Sequence, residues 1–205
     1  MQDAGILNVS WFERRMMSFR GRSISGLILS NVIVAMLVAG LFYTSLLVTS
    51  APVNERDIDT VHRAIAILES KGFDREVYML RNTALFRGTD HWFNDTVLKE
   101  DAYAATNFPF QIVTVYNDFY TKAVDDTERA MILLHESRHL LGEDEAAAYS
   151  YVWQNRERLG WTQLTHGTTE SYVTIEQQTR ENAPELFTCT KNLWNDCTLR
   201  HEPRE

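Results

Sequence analysis

A long apolar run opens the pattern of the chain, and apolar positions at helical intervals follow it. No charged residue occurs between Arg22 and Glu55, and Leu27 to Val48 is nearly all apolar. A helix of about 20 apolar residues is long enough to cross the hydrocarbon core of a bilayer. The pattern therefore predicts one transmembrane helix over residues 23–50, between an N-terminal segment of residues 1–22 and a domain of residues 51–205.

The charges that flank the apolar run predict its orientation. Residues 14–22 contain four arginines, whereas residues 55–59 contain three acidic side chains and one arginine. Because positively charged flanks stay on the cytoplasmic side, we expect a single-pass membrane protein with a cytoplasmic N-terminus and a periplasmic or extracellular domain. A cleaved signal peptide is the alternative, since the small residues Thr49, Ser50 and Ala51 suit a cleavage site. The apolar region of a signal peptide is shorter, about 7 to 15 residues, which favours an uncleaved anchor.

The pattern beyond residue 51 predicts an α+β domain. Apolar positions three and four residues apart predict an amphipathic helix over Asp57–Ser70. Ile112–Tyr116 is short, β-branched and aromatic, which is typical of a strand. Further helices are predicted over Glu145–Leu159 and Glu170–Arg180. Residues 77–85 fit a helix or a strand, and the pattern does not decide between them.

Composition narrows the classes of function. The chain has 205 residues, 44% of them apolar, and a formal net charge of −8. An acidic chain is a poor binder of phosphate backbones, so we expect no nucleic-acid partner. The only two cysteines are Cys189 and Cys197. They are expected to form a disulfide, because the predicted topology places them in an oxidising compartment.

A helix with a metal-binding pattern is predicted between residues 125 and 142. Asp125 can cap its start, and Glu128 stands three residues later in a capping-box arrangement. Within it lies His135-Glu136-Ser137-Arg138-His139, the H-E-x-x-H pattern in which two imidazoles four residues apart can hold one zinc ion. Glu136 lies about 100° round the helix from its neighbour, where it can act as the general base toward water activated by the metal.

A catalytic zinc also needs a third protein ligand and an open position. A continued helix would carry later side chains too far from His135 to share one small ion. Gly142 can end the helix in a left-handed conformation, and Glu145 follows three residues later. The eleven residues from His135 to Glu145 thus read H-E-x-x-H-x-x-G-x-x-E.

This pattern resembles the zincin metallopeptidases, and its spacing is like the H-E-x-x-H-x-x-G-x-x-H of the metzincin branch. The resemblance implies a small zincin-like domain built around an active-site helix. It also implies that His135, His139 and Glu145 hold Zn²⁺ and that Glu136 is the catalytic base. A carboxylate as third ligand is chemically acceptable, since sites of two histidines and one glutamate occur in other zincins.

The chain departs from the metzincin pattern in two ways. No methionine follows Met131, so the methionine turn of that branch is absent. The glutamate in place of the third histidine also resembles the gluzincin branch, in which the third ligand is a glutamate on a later helix. Glu170 and Glu176 therefore remain alternatives to Glu145.

These features together predict a membrane-anchored zinc-dependent peptidase that hydrolyses a peptide or protein substrate. A membrane-anchored module that binds metal or protein without catalysis is the alternative. The strand over Ile112–Tyr116 either lines the cleft, as the strand before the helix does in zincins, or lies inside the sheet. Tyr149, Tyr151 and His166 lie within sequence reach to stabilise an oxyanion.

Overall fold

A computed structural model describes residues 24–93, 102–190 and 195–199 of the chain. In chain order its elements are α1 (Ile24–Thr49), α2 (Glu55–Ser70), α3 (Asp74–Asn82), β1 (Leu85–Arg87), β2 (Ala104–Asn107), β3 (Ile112–Val115), α4 (Asn117–Thr121), α5 (Asp126–Leu140), α6 (Glu145–Leu159), α7 (Gln163–His166), α8 (Glu170–Asn182) and a 3-10 turn over Pro184–Phe187. The chain separates into two compact units, with the boundary between Ser45 and Leu46.

Helix α1 contains the apolar run that the sequence analysis identified. It has 26 residues and carries no charged side chain, and its apolar residues up to Leu41 are largely exposed. It is long and apolar enough to cross a membrane, and a signal sequence shares both properties. The predicted cytoplasmic segment, residues 1–22, lies outside the described residues.

The second unit is mostly helical and contains one three-stranded sheet, which fits the predicted α+β class. The strand order is β1-β3-β2: β3 pairs in parallel with β1, Leu85 opposite Ile112, and in antiparallel with β2, Ala104 opposite Val115. The predicted strand over Ile112–Tyr116 is thus confirmed as the central strand, and all four residues of β3 are buried. It lies inside the sheet, and among the described residues β1 and β2 are the strands at its two edges.

The predicted helices of this unit agree with the structure to within two residues. Helix α6 has the predicted bounds, while α2 begins two residues early because Asn54 caps it by accepting a hydrogen bond from the backbone of Asp57. Helix α8 runs two residues further than predicted, to Asn182. Of the undecided residues 77–85, residues 77–82 belong to the end of α3, 83 and 84 connect the two elements, and Leu85 is the first residue of β1.

Helix α5 lies at the centre of the second unit and packs against α2, α3, α6 and β2. Its apolar side chains are buried on every side of the helix rather than along one stripe: Ala130, Met131, Ile132, Leu133, Leu134 and Leu140. A helix surrounded in this way is fixed in place by its neighbours. The side chains that it carries toward the functional site are therefore held by the core of the domain.

The start of α5 is held by two acidic side chains. Asp125 caps the helix as predicted, accepting hydrogen bonds from the backbone of Thr127 and Glu128. The carboxylate of Glu128 is fully buried and accepts from the backbone of Val124, 2.9 Å away, one residue before the cap rather than at the cap itself. The capping-box prediction is correct for Asp125 and wrong for the partner of Glu128.

Other donors complete the environment of the Glu128 carboxylate. The hydroxyls of Thr169 and Ser171, at the start of α8, donate hydrogen bonds to it, as does Nε1 of Trp161 at 3.5 Å. The buried carboxylate of Glu128 therefore has hydrogen-bond donors on both of its oxygens, and it connects the start of the central helix to α8.

The C-terminal segment is attached to α6. Cys189 and Cys197 form the predicted disulfide. Between them in sequence, Asp196 accepts a hydrogen bond from Arg156 at 2.7 Å, and both side chains are 3% exposed. Trp153 Nε1 donates a second hydrogen bond to the same Asp196 oxygen. The hydrogen bonds to Asp196 hold the segment against the helix that begins with Glu145, and the disulfide joins two positions within the segment.

We predict that Glu128→Ala lowers the free energy of unfolding by about 3 to 5 kcal/mol, because several buried donors lose their acceptor together. The measurement is urea unfolding of the full-length chain in detergent, followed by far-ultraviolet circular dichroism. The matched control is Glu170→Ala, which removes an exposed carboxylate paired with Lys122 and should cost less than about 1 kcal/mol. Equal losses in the two variants would contradict this description of the core.

Candidate metal and catalytic site

The candidate site lies where the end of α5 meets the start of α6. Helix α5 presents His135 and His139 one turn apart, and the chain then turns at Gly142, whose φ of 82° is in the left-handed region that favours glycine. Asp144 caps α6 by accepting from the backbone of Ala147. The first residue of α6 is Glu145, so this short turn directs its carboxylate back toward the two histidines.

Three potential ligand atoms converge at this point. His135 Nε2 and His139 Nε2 are 3.0 Å apart, and the two oxygens of the Glu145 carboxylate lie 3.2 Å and 3.4 Å from them. Ligand atoms about 2.0 to 2.1 Å from a tetrahedral zinc ion are about 3.3 Å from one another. The separations and the donor set, two imidazole nitrogens and a carboxylate, thus fit a zinc site.

The two imidazole rings are held in different ways. His139 Nδ1 lies 2.9 Å from the carbonyl oxygen of Glu143, which makes Nδ1 the protonated nitrogen and leaves the lone pair on Nε2. This is the usual support for a histidine that binds metal. The His135 ring packs on Tyr149 with a centroid separation of 4.4 Å. Its Nδ1 is buried and makes no hydrogen bond within the described part of the chain.

The site attracts positive charge. Hydrogen bonds from His135 and His139 hold the pKa of the Glu145 carboxyl well below its usual range. Burial lowers the pKa of His139, but the hydrogen bond to Glu145, the nearby charge of Glu136 and the Glu143 carbonyl outweigh it and raise that pKa to about 9. Without a metal ion, a proton on the His139 imidazole supplies the positive charge that these oxygen atoms attract.

Glu136 lies beside the two histidines on the same helix. Its side chain is 4% exposed, and its Oε2 accepts a hydrogen bond from the hydroxyl of Thr106 at 2.8 Å. Thr106 belongs to the edge strand β2. The strand thus fixes the orientation of the carboxylate at the wall of the cleft.

These groups line a cleft of about 580 Å³. One wall is formed by β2 and Phe108, and the other by side chains of α6 and α8 that include Tyr149, Val152 and Ile175. Among the described residues that line the cleft, none is lysine or arginine. The cleft is therefore acidic near the histidines and apolar further along.

The three glutamates considered as a third ligand have different surroundings. Among the described residues, the group of potential ligand atoms that lie close together comprises His135, His139 and Glu145. Glu170 forms an ion pair with Lys122, and Glu176 forms one with Arg180 on its own helix. Neither belongs to the group.

The three residues considered for oxyanion stabilisation have different positions. Tyr149 lines the cleft, and its hydroxyl donates to Gln178 Oε1 at 2.8 Å. The Tyr151 hydroxyl donates to Glu76, and His166 contacts Asp125 at the opposite end of α5. Only Tyr149 of these three lies at the site.

Two further residues at the site escaped the sequence analysis. Thr106 contacts Glu136, and Arg138, inside the H-E-x-x-H pattern, forms ion pairs with Glu76 and Glu143. A charged residue within a strongly apolar helix was the available signal for Arg138. No sequence signal pointed to Thr106, since its role depends on the contact between β2 and α5.

Comparison of the chain with known protein families, curated proteins and solved structures finds no match. The resemblance to zincins therefore rests on the eleven residues from His135 to Glu145.

We predict that His139 in the metal-free protein titrates near pH 9. This pKa is raised above the value of about 6.5 that histidine has in the unfolded chain. The protonated His139 imidazole therefore stabilises the folded metal-free protein fully below pH 6.5, and this contribution is lost as the pH rises through 9. Glu145→Gln should lower the pKa, since burial is then opposed by fewer charges. Nuclear magnetic resonance titration of the histidines after removal of metal by a chelator tests this, and a wild-type pKa at or below 6.5 would contradict it.

Proposed function

We propose that the chain is a zinc-dependent peptidase, with a zincin-like domain anchored to a membrane by α1. The observation that carries the proposal is the convergence of His135, His139 and Glu145 beside the carboxylate of Glu136 at the wall of one cleft. Two imidazoles, a carboxylate ligand and an adjacent carboxylate base are the groups that metal-assisted peptide hydrolysis requires.

His135, His139 and Glu145 would hold the metal through the three atoms that lie together. Zinc bound there would supply Lewis-acid chemistry, polarising the scissile carbonyl and making a water molecule more acidic. The hydrogen bond from His139 Nδ1 to the Glu143 carbonyl keeps the ring in the orientation and tautomer needed for ligation.

Glu136 is the proposed general base. Its carboxylate accepts a proton from the attacking water and then donates it to the nitrogen of the departing amine. The hydroxyl of Thr106 holds one oxygen of this carboxylate, which restricts the side chain to one orientation in the cleft. Near-complete burial of Glu136 keeps bulk water from competing for the same hydrogen bonds.

The edge strand β2 supports a peptide as the substrate. Within the described residues β2 pairs with β3 along one side only, and Ala104, Ala105 and Thr106 line the cleft. An extended peptide can add to such an edge through backbone hydrogen bonds. Apolar side chains further along the cleft, such as Val152 and Ile175, provide a surface for an apolar substrate side chain.

Two observations support a location outside the cytoplasm. The four arginines before α1 favour a cytoplasmic N-terminus, which would place the domain in the periplasm or at the cell exterior. The disulfide between Cys189 and Cys197 is typical of proteins in oxidising compartments. The length of α1 favours an uncleaved membrane anchor.

We predict that Glu136→Gln retains zinc and loses at least about 100-fold in peptide cleavage, because the amide cannot accept the proton. The measurement incubates the full-length chain with a mixture of peptides and identifies cleaved products by mass spectrometry, with bound zinc determined in parallel. Glu157→Gln, an exposed glutamate on α6, is the control and should cleave like the wild type.

Cleavage by Glu136→Gln at the wild-type rate would contradict the catalytic role. A wild-type chain that binds zinc and cleaves no peptide would favour the metal-binding module without catalysis.

A further inference from the structure

We propose that Arg138 is a positioning residue for the metal site, and that it holds His139 and Glu145 in ligating geometry through Glu143. This inference rests on the proposed metal site and assigns Arg138 no contact with substrate. It follows from the contacts of a mostly buried side chain that lies next to His139 in the sequence.

The guanidinium of Arg138 lies between two carboxylates. The side chain is 10% exposed, and Nη1 donates to Glu76 Oε1 at 2.7 Å. On the other side Nε donates to Glu143 Oε2 at 2.8 Å, and Nη2 donates to Glu143 Oε1. Two parallel hydrogen bonds from one planar group fix the orientation of the Glu143 carboxylate as well as its distance.

Glu143 connects this ion pair to two of the proposed ligands, His139 and Glu145. Its carbonyl oxygen accepts the hydrogen bond from His139 Nδ1, and its backbone N–H donates to the carbonyl of Arg138 at 3.1 Å. Glu143 lies in the turn after Gly142, two residues before Glu145. Holding the Glu143 side chain therefore fixes the carbonyl that orients His139 and the turn that delivers Glu145.

A second route runs through α6. The Arg138 guanidinium carbon lies 3.9 Å from the centroid of the Tyr151 ring, and the Tyr151 hydroxyl donates to Glu76 at 3.0 Å. Tyr151 belongs to α6, the helix whose first residue is Glu145. Arg138 thus contacts Glu143 before Glu145 and Tyr151 after it. Both contacts hold the segment that carries Glu145 against α5.

The domain contains a matched ion pair that lacks this connection. Arg156 and Asp196 are each 3% exposed and are joined at 2.7 Å, with a cation–π contact from Arg156 to Trp153. The hydrogen bonds of Arg156 reach Trp153, Asp196, Thr198 and Tyr172, and none of these is a proposed ligand. A role confined to stability predicts the same behaviour for both arginines, whereas positioning predicts a difference in metal affinity.

The test compares Arg138→Lys with Arg156→Lys in the full-length chain in detergent. Lysine keeps the charge and removes the planar fork. We expect Arg138→Lys to weaken zinc binding 10- to 100-fold, the range for loss of groups that support metal ligands. Arg156→Lys should change the zinc affinity less than about twofold, because Arg156 does not support a proposed ligand. Zinc affinity is measured by competition with a chelator, and unfolding of the metal-free variants shows whether their losses of stability are comparable.

A second readout and a second variant keep the test independent of folding. Cobalt in place of zinc gives an absorption spectrum that reports the coordination of the metal. This spectrum should change in Arg138→Lys and stay as in wild type in Arg156→Lys.

Glu143→Gln leaves Arg138 paired with Glu76 and alters a side chain that is 30% exposed. We expect it to weaken zinc binding about 10-fold, and it decides the matter if Arg138→Lys does not fold.

Folded variants of Arg138 and Glu143 that bind zinc like the wild type would overturn the positioning role and leave the metal site intact. A wild-type chain that binds no zinc would overturn the metal site, and the positioning role with it.

Discussion

The burial of α5 on all sides is the constraint on which the rest of the structure depends. A helix in this position can carry charged side chains only if other elements supply their partners, because an unpaired buried charge is costly. Glu128 accepts hydrogen bonds from the start of α8 and Glu136 accepts one from β2, whereas Arg138 donates to Glu76 on α3 and to Glu143 in the turn after α5. Each of these contacts fixes α5 against one neighbour, so the requirements of burial also align the functional site.

Alignment of α5 alone does not complete a metal site. Two histidines one turn apart supply two nitrogens, and the third donor has to come from a segment that leaves the helix and returns. The left-handed turn at Gly142 and the cap at Asp144 bring the first residue of α6 to that position. The acceptors gathered there favour a positive charge, which links the local folding of this turn to the proposed chemistry.

The sequence predicted those features that depend on neighbours in the chain. The bounds of α6, the cap at Asp125 and the glycine turn all follow from short-range rules, while the pairing of Cys189 with Cys197 was predicted from the compartment that the apolar run implies. Contacts between distant segments could not be predicted in this way. The internal position of β3 and the contact of Thr106 with Glu136 each depend on packing between elements far apart in sequence, and no periodicity encodes them.

The most direct test of the central claim is X-ray absorption spectroscopy at the zinc edge on the full-length chain after supply of zinc. The account predicts one zinc with two imidazole nitrogens and carboxylate oxygen at about 2.0 to 2.2 Å, and a spectrum that changes in Glu145→Ala. Absence of bound zinc from folded protein, sulfur among the ligands, or a spectrum unaffected by Glu145→Ala would contradict it.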